Sequence, residues 1–325
     1  MLNMTKDIRC LLLVLFTGIY VASAQEPASG SDYQTTLISN PAVTGSEGNG
    51  IIRLSYRSLY PGNGFDLHSV SLSYDGYFPS LHGGAGFFIS DNYLGGIVND
   101  LRGGFSYAYF FRAAGDLYLS AGLSASVYNR GFNTGGAVLP DQIDPLRGAL
   151  LPAGEIITSR GKTIFDLGTG FMFISGRFLG GISVTHLTEP DLSITRIAGN
   201  RLNRTLLIHV ASGFDIGRGK NLKIRPAGKF EMQKGFISVG AGAAFESNYL
   251  SINSLLFIDN EKSLDIQTGF AINTGIIVVY YNYRFNIVSG NNLLPFSLLH
   301  QTGIAFSLNY VDKRKTIKTI NFPKL

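Results

Sequence analysis

The sequence predicts a transmembrane, antiparallel, up-and-down β-barrel of about fourteen strands, with short periplasmic turns and long extracellular loops. Three observations predict this fold. Apolar residues alternate with small or polar ones in runs of about ten, which is the strand length that a bilayer core requires. Charged residues make up only 15% of the chain, against roughly 25% in soluble domains. The longer connections also fall at one end of the predicted barrel.

Residues 1–24 are predicted to form a cleaved secretory signal peptide. Lys6 and Arg9 precede an apolar run from Cys10 to Val21, and small residues follow that run. The run is shorter than the roughly eighteen residues of a spanning helix, and no stop-transfer segment comes after it. A barrel exported by such a signal belongs in the bacterial outer membrane. Since Cys10 is the only cysteine, the mature chain is predicted to lack disulfides, thiol nucleophiles and cysteine metal sites.

The barrel is predicted to span residues 50–311, between an extended lead-in at 25–49 and a basic periplasmic tail at 312–325. The lead-in is polar, and turn-forming residues run from Asn40 to Gly50. The tail has five basic residues and one acidic residue, so it carries most of the net charge of +5. The basic pI therefore describes a tail, and we expect no nucleic-acid partner.

The strand pattern is clearest between residues 102 and 130. Phe105, Tyr107 and Tyr109 alternate with small residues, and a polar break at 113–116 leads into a second alternating run, which together indicate a hairpin. The same alternation recurs along the chain. It predicts strands near 51–60, 66–77, 83–90, 102–112, 116–129, 163–174, 177–187, 203–215, 221–232, 235–246, 249–258, 263–272, 275–286 and 301–311.

The lengths of the connections favour a membrane barrel over a soluble sandwich. Connections after even-numbered strands are all short. The longer ones, at 91–101, 130–162, 188–202 and 287–300, follow the third, fifth, seventh and thirteenth strands. In a closed antiparallel barrel all of these lie at one end, which is the outer-membrane pattern of long external loops and short periplasmic turns.

Charged residues in the middle of strands are predicted to point into the barrel, because a charge facing lipid costs about 2–4 kcal/mol. Such residues select anions in an open pore, or they cross-link a filled interior, and the sequence leaves both alternatives open. The predicted luminal residues are Arg53, Arg57, Lys223, Arg225, Lys229, Glu231 and Arg284.

The sequence predicts no enzyme. His68 and Ser69 are neighbours on a strand and point to opposite faces, and no other set of nucleophile, base and orienting group converges. Asp141, Asp144 and Glu155 share one long connection, where oxygen ligands for calcium are conceivable, but spaced loop carboxylates are usually solvated. We therefore expect no catalytic residues, no cofactor and no metal.

Several segments, taken in order, resemble the PorP/SprF family of outer-membrane proteins of the type IX secretion system. The resemblance covers roughly residues 33–215, and the remainder matches by strand pattern only. Tyr60 stands where the family commonly has Trp before Pro-Gly, and Val43-Thr44 replaces a more usual Tyr-Ala. The matching segments are Asn40-Pro41-Ala42-Val43-Thr44-Gly45-Ser46-Glu47-Gly48, Ser55-Tyr56-Arg57, Pro61-Gly62, Ser73-Tyr74-Asp75, Leu81-His82-Gly83-Gly84-Ala85-Gly86, Ser106-Tyr107-Ala108-Tyr109, Ile143-Asp144-Pro145, Pro152-Ala153-Gly154-Glu155 and His186-Leu187-Thr188-Glu189-Pro190.

The resemblance implies a non-enzymatic barrel that helps to secrete, receive or anchor particular surface proteins, such as gliding-motility adhesins with a C-terminal secretion domain. It also implies contact with outer-membrane lipid, with the type IX translocon, and with periplasmic ring or peptidoglycan-linked components. An outer-membrane porin or hydrophobic-substrate transporter is the alternative, and a soluble β-sandwich would share only the alternation. The candidate partner-binding residues are Asp141, Asp144, Glu155, His186, Glu189 and Asp191 in the loops, and Lys313, Arg314, Lys315 and Lys318 in the tail.

Overall fold

The computed structural model describes residues 36–48, 50–62, 67–95, 98–132, 143–144, 148–149, 161–192, 201–216, 222–289 and 296–308. The predicted signal peptide at 1–24 and the basic tail at 312–325 lie outside these residues. Within the described ranges, no helix is both long enough and apolar enough to cross a membrane.

Fourteen antiparallel strands of the described chain close into a single barrel, which confirms the predicted fold. β8 is interrupted at Gly213 and continues as Phe214–Ile216, and pairing of β1 with β14 closes the wall. The strands are β1 (Ile51–Leu59), β2 (Leu67–Phe78), β3 (Gly83–Leu94), β4 (Val98–Ala114), β5 (Leu117–Phe132), β6 (Gly161–Ser175), β7 (Phe178–Thr185), β8 (Thr205–Ser212), β9 (Leu222–Gln233), β10 (Phe236–Glu246), β11 (Leu250–Asp259), β12 (Leu264–Asn273), β13 (Ile277–Val288) and β14 (Ser297–Ser307).

Alternation along each strand sorts the side chains into an apolar outer surface and a polar interior. On β4 and β5, Phe105 and Leu123 are 74% and 65% exposed on the outside. On the same two strands, Ser106 and Ser120 are buried on the inside. Exposed large apolar side chains on a wall of this height suit contact with lipid acyl chains.

Two connections differ from those predicted. Residues 91–101 do not form a long loop, because β3 and β4 continue until Leu94 pairs with Val98. Their polar residues are strand residues: Asp100 is buried and its carboxylate accepts two hydrogen bonds from Arg130 of β5. β14 also begins at Ser297 rather than near residue 301, since its first residues pair with β1 and β13.

The long connections that remain define two ends of the barrel. Residues 133–160 and 186–204 join β5 to β6 and β7 to β8, and a two-residue ladder pairs Ile143–Asp144 with Gly148–Ala149 within the first of these. We call this end the long-loop end. The opposite end, where β4 turns into β5 and β6 into β7, is the short-turn end.

The amino-terminal residues 36–48 lie inside the barrel, and we call them the plug. The sequence predicted an extended lead-in here, but the plug forms turns around a one-turn 3-10 helix, Pro41–Val43. Asn40, Ala42 and Thr44 are completely buried, although Ala42 is the only one with an apolar side chain. The turn chemistry read from the sequence is therefore correct, but the turns are in the interior and not on the surface.

Candidate functional site

Glycines on the inner face of the wall make room for the plug. A methyl group at Gly122 of β5 would overlap the backbone of Pro41 and Ala42, and one at Gly84 of β3 would overlap Thr44. A methyl group at Gly170 of β6 would overlap the Asn40 side chain. The plug backbone thus rests directly on the wall, at a distance that no larger residue permits.

Asn40 both starts the 3-10 helix and fastens it to the wall. Its Oδ1 accepts a hydrogen bond from the backbone N–H of Ala42 at 2.9 Å. Its Nδ2 lies 3.0 Å from Nε2 of His209 on β8. Because an amide nitrogen can only donate, His209 accepts through Nε2 and its ring is neutral in this arrangement. The Asn40 side chain therefore provides a hydrogen-bond partner both for a backbone N–H at the start of the 3-10 helix and for the buried ring of His209.

Serine hydroxyls on neighbouring strands hold the plug backbone. The Ser120 hydroxyl donates to the carbonyl of Ala42 at 2.8 Å, and the Ser183 hydroxyl donates to the carbonyl of Ser39 at 2.7 Å. The Ser106 and Thr44 hydroxyls are 2.6 Å apart. Backbone groups that would be orphaned inside the barrel are thus paired, which removes the main cost of burying them.

An ion-pair cluster joins the carboxyl-terminal part of the plug to β1 and β2. The Arg53 guanidinium donates to Asp75 of β2 and to Glu47 of the plug. Asp75 also accepts a hydrogen bond from the backbone N–H of Gly45 at 2.7 Å. Arg53 was predicted to be luminal, whereas its two partners were named only within segments that carry the family resemblance and were not predicted to face the lumen. One buried carboxylate, of Asp75, and one partly exposed carboxylate, of Glu47, thus share a single arginine.

We expect replacement of Gly122 by alanine to loosen the plug without opening the wall. The new methyl group would overlap the plug backbone, which cannot rotate away as a side chain can. Steric conflict of this kind in a packed interior typically costs about 1–3 kcal/mol. Faster proteolysis within residues 36–48 of the folded barrel would reveal the change.

Gly228 to Ala is the matched control for Gly122 to Ala. Gly228 lies on β9, where an added methyl group would meet only the Val210 side chain closely and would not touch the plug. Equal proteolysis of both variants would show that the plug does not depend on contact with Gly122.

A second buried cluster lies inside the barrel, nearer to the long-loop end than the plug. His186 follows β7 directly. The distance from its Nδ1 atom to the carboxylate of Asp166 on β6 is 2.8 Å. The Thr188 hydroxyl donates to the same carboxylate at 2.9 Å, and the Arg102 guanidinium lies 3.9 Å from it. His186 is only 2% exposed. Its side chain is therefore buried against Asp166 in the isolated chain, and contact of His186 with a partner stays a prediction.

The sequence analysis did not predict a role for Asp166, although the pattern of its strand indicates one. It is an acidic residue in the middle of an apolar strand, on the face that alternation turns inward. Tyr128 of β5, Leu192 and Leu202 pack together beside this cluster, so both described ends of the connection 186–204 are anchored at the barrel mouth.

The other predicted loop residues are placed as follows. The Glu189 carboxylate lies 3.4 Å from Nε of Arg204, and the Asp191 carboxylate lies 3.7 Å from Nζ of Lys162. Both ion pairs are at the long-loop end, and both carboxylates are partly exposed. Asp141 and Glu155 lie outside the described residues, as do the side chain of Asp144 and the tail residues Lys313, Arg314, Lys315 and Lys318.

Four of the remaining predicted luminal residues form ion pairs inside the barrel, and Arg57 has its guanidinium 3.4 Å from the Ser69 hydroxyl. The distances from the basic nitrogen to the carboxylate oxygen are 2.6 Å for Arg225 and Glu246, 3.0 Å for Lys229 and Glu231, and 2.5 Å for Arg284 and Asp265. Lys223 is exposed at the short-turn end, opposite Asp215. Among the side chains that the structure describes, no group of three or more His, Cys, Asp and Glu is arranged to hold a metal ion.

Comparisons with known proteins agree with the barrel. The family model described as the type IX secretion system membrane protein PorP/SprF matches residues 22–301. A search of curated proteins gives no match. A solved mutant of the TodX monoaromatic hydrocarbon channel is 11% identical, with a TM-score of 0.52 over 84% of this chain and 94% of that chain. Outer membrane protein Omp33 of Acinetobacter baumannii is 9% identical, with a TM-score of 0.48 over 81% and 100% of the two chains. At such identities the likeness to TodX concerns the fold alone.

Proposed function

Because this chain belongs to the PorP/SprF family of type IX secretion system membrane proteins, we propose that it is a non-enzymatic scaffold that receives particular secreted proteins at the cell surface. It is an outer-membrane β-barrel, and its apolar outer surface faces lipid. In this proposal its cargo is an adhesin-like protein with a C-terminal secretion domain, and the barrel helps to secrete, receive or anchor that protein.

The observation that carries this proposal is the filled lumen. The plug is fixed to several strands by hydrogen bonds, and the Asp166 cluster lies between the plug and the long-loop end. A solute that passed through would have to displace the plug and the buried Asp166–His186 contact, and separating buried, hydrogen-bonded charges is costly. This supports a scaffold over a diffusion pore.

The long-loop end supplies the surface for cargo in this proposal. β5 and β6 have 16 and 15 residues, whereas β7 has 8, so the wall is much higher on one side. The connections 133–160 and 186–204 flank this step. In the same proposal the tail at 312–325 faces periplasmic ring or peptidoglycan-linked components of the translocon.

Exchange of the connection 133–160 for a short Gly-Ser linker tests the proposal. We expect the tagged protein purified from outer membranes to lose its secreted cargo while it keeps its heat-modifiable mobility on gels. The turn at 260–263 lies at the same end of the barrel, so a Gly-Ser exchange there is the matched control. Retention of cargo by the 133–160 variant, or loss by both variants, would contradict this assignment of the cargo surface.

A further inference from the structure

The wall of the barrel has a notch at the short-turn end, where β8 is interrupted. Pairing of β8 with β9 stops at Ala211 and resumes in the same register at Phe214. In this register Ser212 lies opposite Pro226, which has no backbone N–H to donate. Ser212 and Gly213 are therefore left out of the β8–β9 ladder, and the sheet has a gap in its hydrogen bonding at this point.

A cavity of about 180 Å³ lies in this notch. The β6–β7 turn forms one side of it, since the backbone N–H of Gly213 donates to the carbonyl of Arg177 in that turn at 3.2 Å. Residues from both faces of the wall line the cavity. Leu179 packs against buried apolar residues inside the barrel, whereas Phe178 is 59% exposed on the outer surface. The cavity therefore lies within the rim of the wall, between the lumen and the lipid.

The charge of the cavity lining is mainly positive. Three basic side chains line it, against the single acidic side chain of Asp215. Two of the basic residues, Arg177 in the β6–β7 turn and Lys223 at the start of β9, are exposed. Lys223 lies opposite Asp215 in the ladder, but within the described part of the chain neither Lys223 nor Arg177 forms an ion pair. A cleft lined by unpaired charges of one sign attracts an anion.

Two buried groups of the lining have hydrogen-bonding capacity to spare. The third basic residue, Arg225, donates from Nε to the Glu246 carboxylate at 2.6 Å. Its Nη1 atom is directed toward Gly213, because a methyl group added there would lie 3.5 Å from it. The Ser212 hydroxyl is buried and has no hydrogen-bond partner among the described residues. A buried donor without a partner is costly, and an oxyanion in the cavity would supply one.

A phosphate group suits this set of donors, and its position favours a lipid as the source. Phosphate presents several oxygens at once to guanidinium, ammonium and hydroxyl donors. Around the notch, Phe178, Phe214 and Leu222 are exposed on the outer surface, where acyl chains lie. Basic pockets beside apolar membrane surfaces bind lipid head groups. A phospholipid therefore meets both the charge of the cavity and the apolar surface next to it.

We propose that this cavity binds the phosphate group of a phospholipid in the leaflet at the short-turn end. Arg177 and Lys223 bind the phosphate oxygens from the exposed side. Nη1 of Arg225 and the hydroxyl of Ser212 donate to them from within the wall. The acyl chains lie along the apolar surface around Phe178, so the lipid fills the notch. This site goes beyond the proposed function and does not rest on it.

Native mass spectrometry of the purified barrel, released from a neutral detergent, measures this binding. We expect dioleoyl phosphatidic acid to bind at about tenfold lower concentration than dioleoylglycerol, which has the same acyl chains and no phosphate. An Arg177→Gln, Lys223→Gln variant should lose most of this preference, because both exposed cations are removed. Neither residue has an ion-pair partner in the described chain, so the variant should fold.

An Arg112→Gln, Lys234→Gln variant is the matched control. It also removes one exposed arginine and one exposed lysine near the ends of strands, but neither residue lines the cavity. It should keep the preference for phosphatidic acid. Loss of the preference in both variants, loss in neither, or no preference in the parent protein would overturn the phosphate site.

Inorganic phosphate distinguishes a lipid from a soluble anion as the source of the phosphate group. Equilibrium dialysis of the same barrel in neutral detergent, with radiolabelled orthophosphate, measures binding of the soluble anion. Weaker binding of orthophosphate than of phosphatidic acid supports the lipid, and equal or tighter binding would overturn it. None of these measurements involves cargo, so their outcome is independent of the scaffold proposal.

Discussion

Deletion of residues 25–48 is expected to turn a silent barrel into one that conducts ions. The plug fills the lumen beside the short-turn end and is bound there by serine hydroxyls and by the Arg53 cluster. Its removal leaves a polar interior lined by hydroxyl groups and ion pairs, which water and salt enter readily. Single-channel recording in a planar bilayer measures the difference, and the intact protein should show no steady conductance.

A deletion of residues 25–35 alone is the control for this prediction. It keeps the plug at 36–48 with all its described contacts, so the barrel should remain closed. Steady conductance of the intact protein would contradict the scaffold proposal and would favour a porin or a transporter. If the variant without residues 25–48 showed no conductance, the Asp166 cluster would be sufficient to close the lumen.

Replacement of Arg53 by methionine is expected to cause the largest loss of stability. It leaves the Asp75 and Glu47 carboxylates close together inside the barrel without their shared cation. Removal of one member of a buried ion pair typically costs about 3–5 kcal/mol, because the remaining charge is buried without compensation. The chain has no tryptophan, so urea unfolding is best followed by far-ultraviolet circular dichroism.

The triple variant Arg53→Met, Asp75→Asn, Glu47→Gln tests the physical reason for this loss. It removes the carboxylate charges together with the arginine, and we expect it to recover much of the lost free energy of unfolding. A triple variant no more stable than Arg53→Met would show that the arginine acts by packing, and that the charge cluster contributes little.

The barrel itself could be predicted from the sequence, because alternation is a local property. Fourteen runs with one apolar face determine which side chains meet lipid, and the mid-strand charges at Arg53, Arg225 and Arg284 followed from the same rule. Their partners could not be predicted, since Asp265 and Glu246 pair with them only through the register of adjacent strands. The register between two strands depends on the whole sheet, so it cannot be read from the sequence of one strand alone.

The plug could not be recognised for a related reason. Residues 36–48 are polar, have no period and contain turn-forming residues, all of which are features of an exposed lead-in. Their burial depends on Gly84, Gly122 and Gly170, which lie far along the chain and appear in the sequence as ordinary strand glycines. The same limit applies to residues 91–101, whose polar side chains indicated a loop until pairing of β3 with β4 showed a continuous hairpin.

The direct link between the plug and β1 has a consequence for how the lumen can open. Only two residues, 49 and 50, separate them in the sequence, and the Gly50 carbonyl accepts a hydrogen bond from the backbone N–H of Leu308 at 2.8 Å, just after β14 ends. A plug that leaves its site therefore stays tethered at the rim, at an effective concentration of about the millimolar order expected for a short linker. Opening would then be an intramolecular equilibrium, in which any other molecule that binds the vacated site has to compete with the tethered plug at that effective concentration.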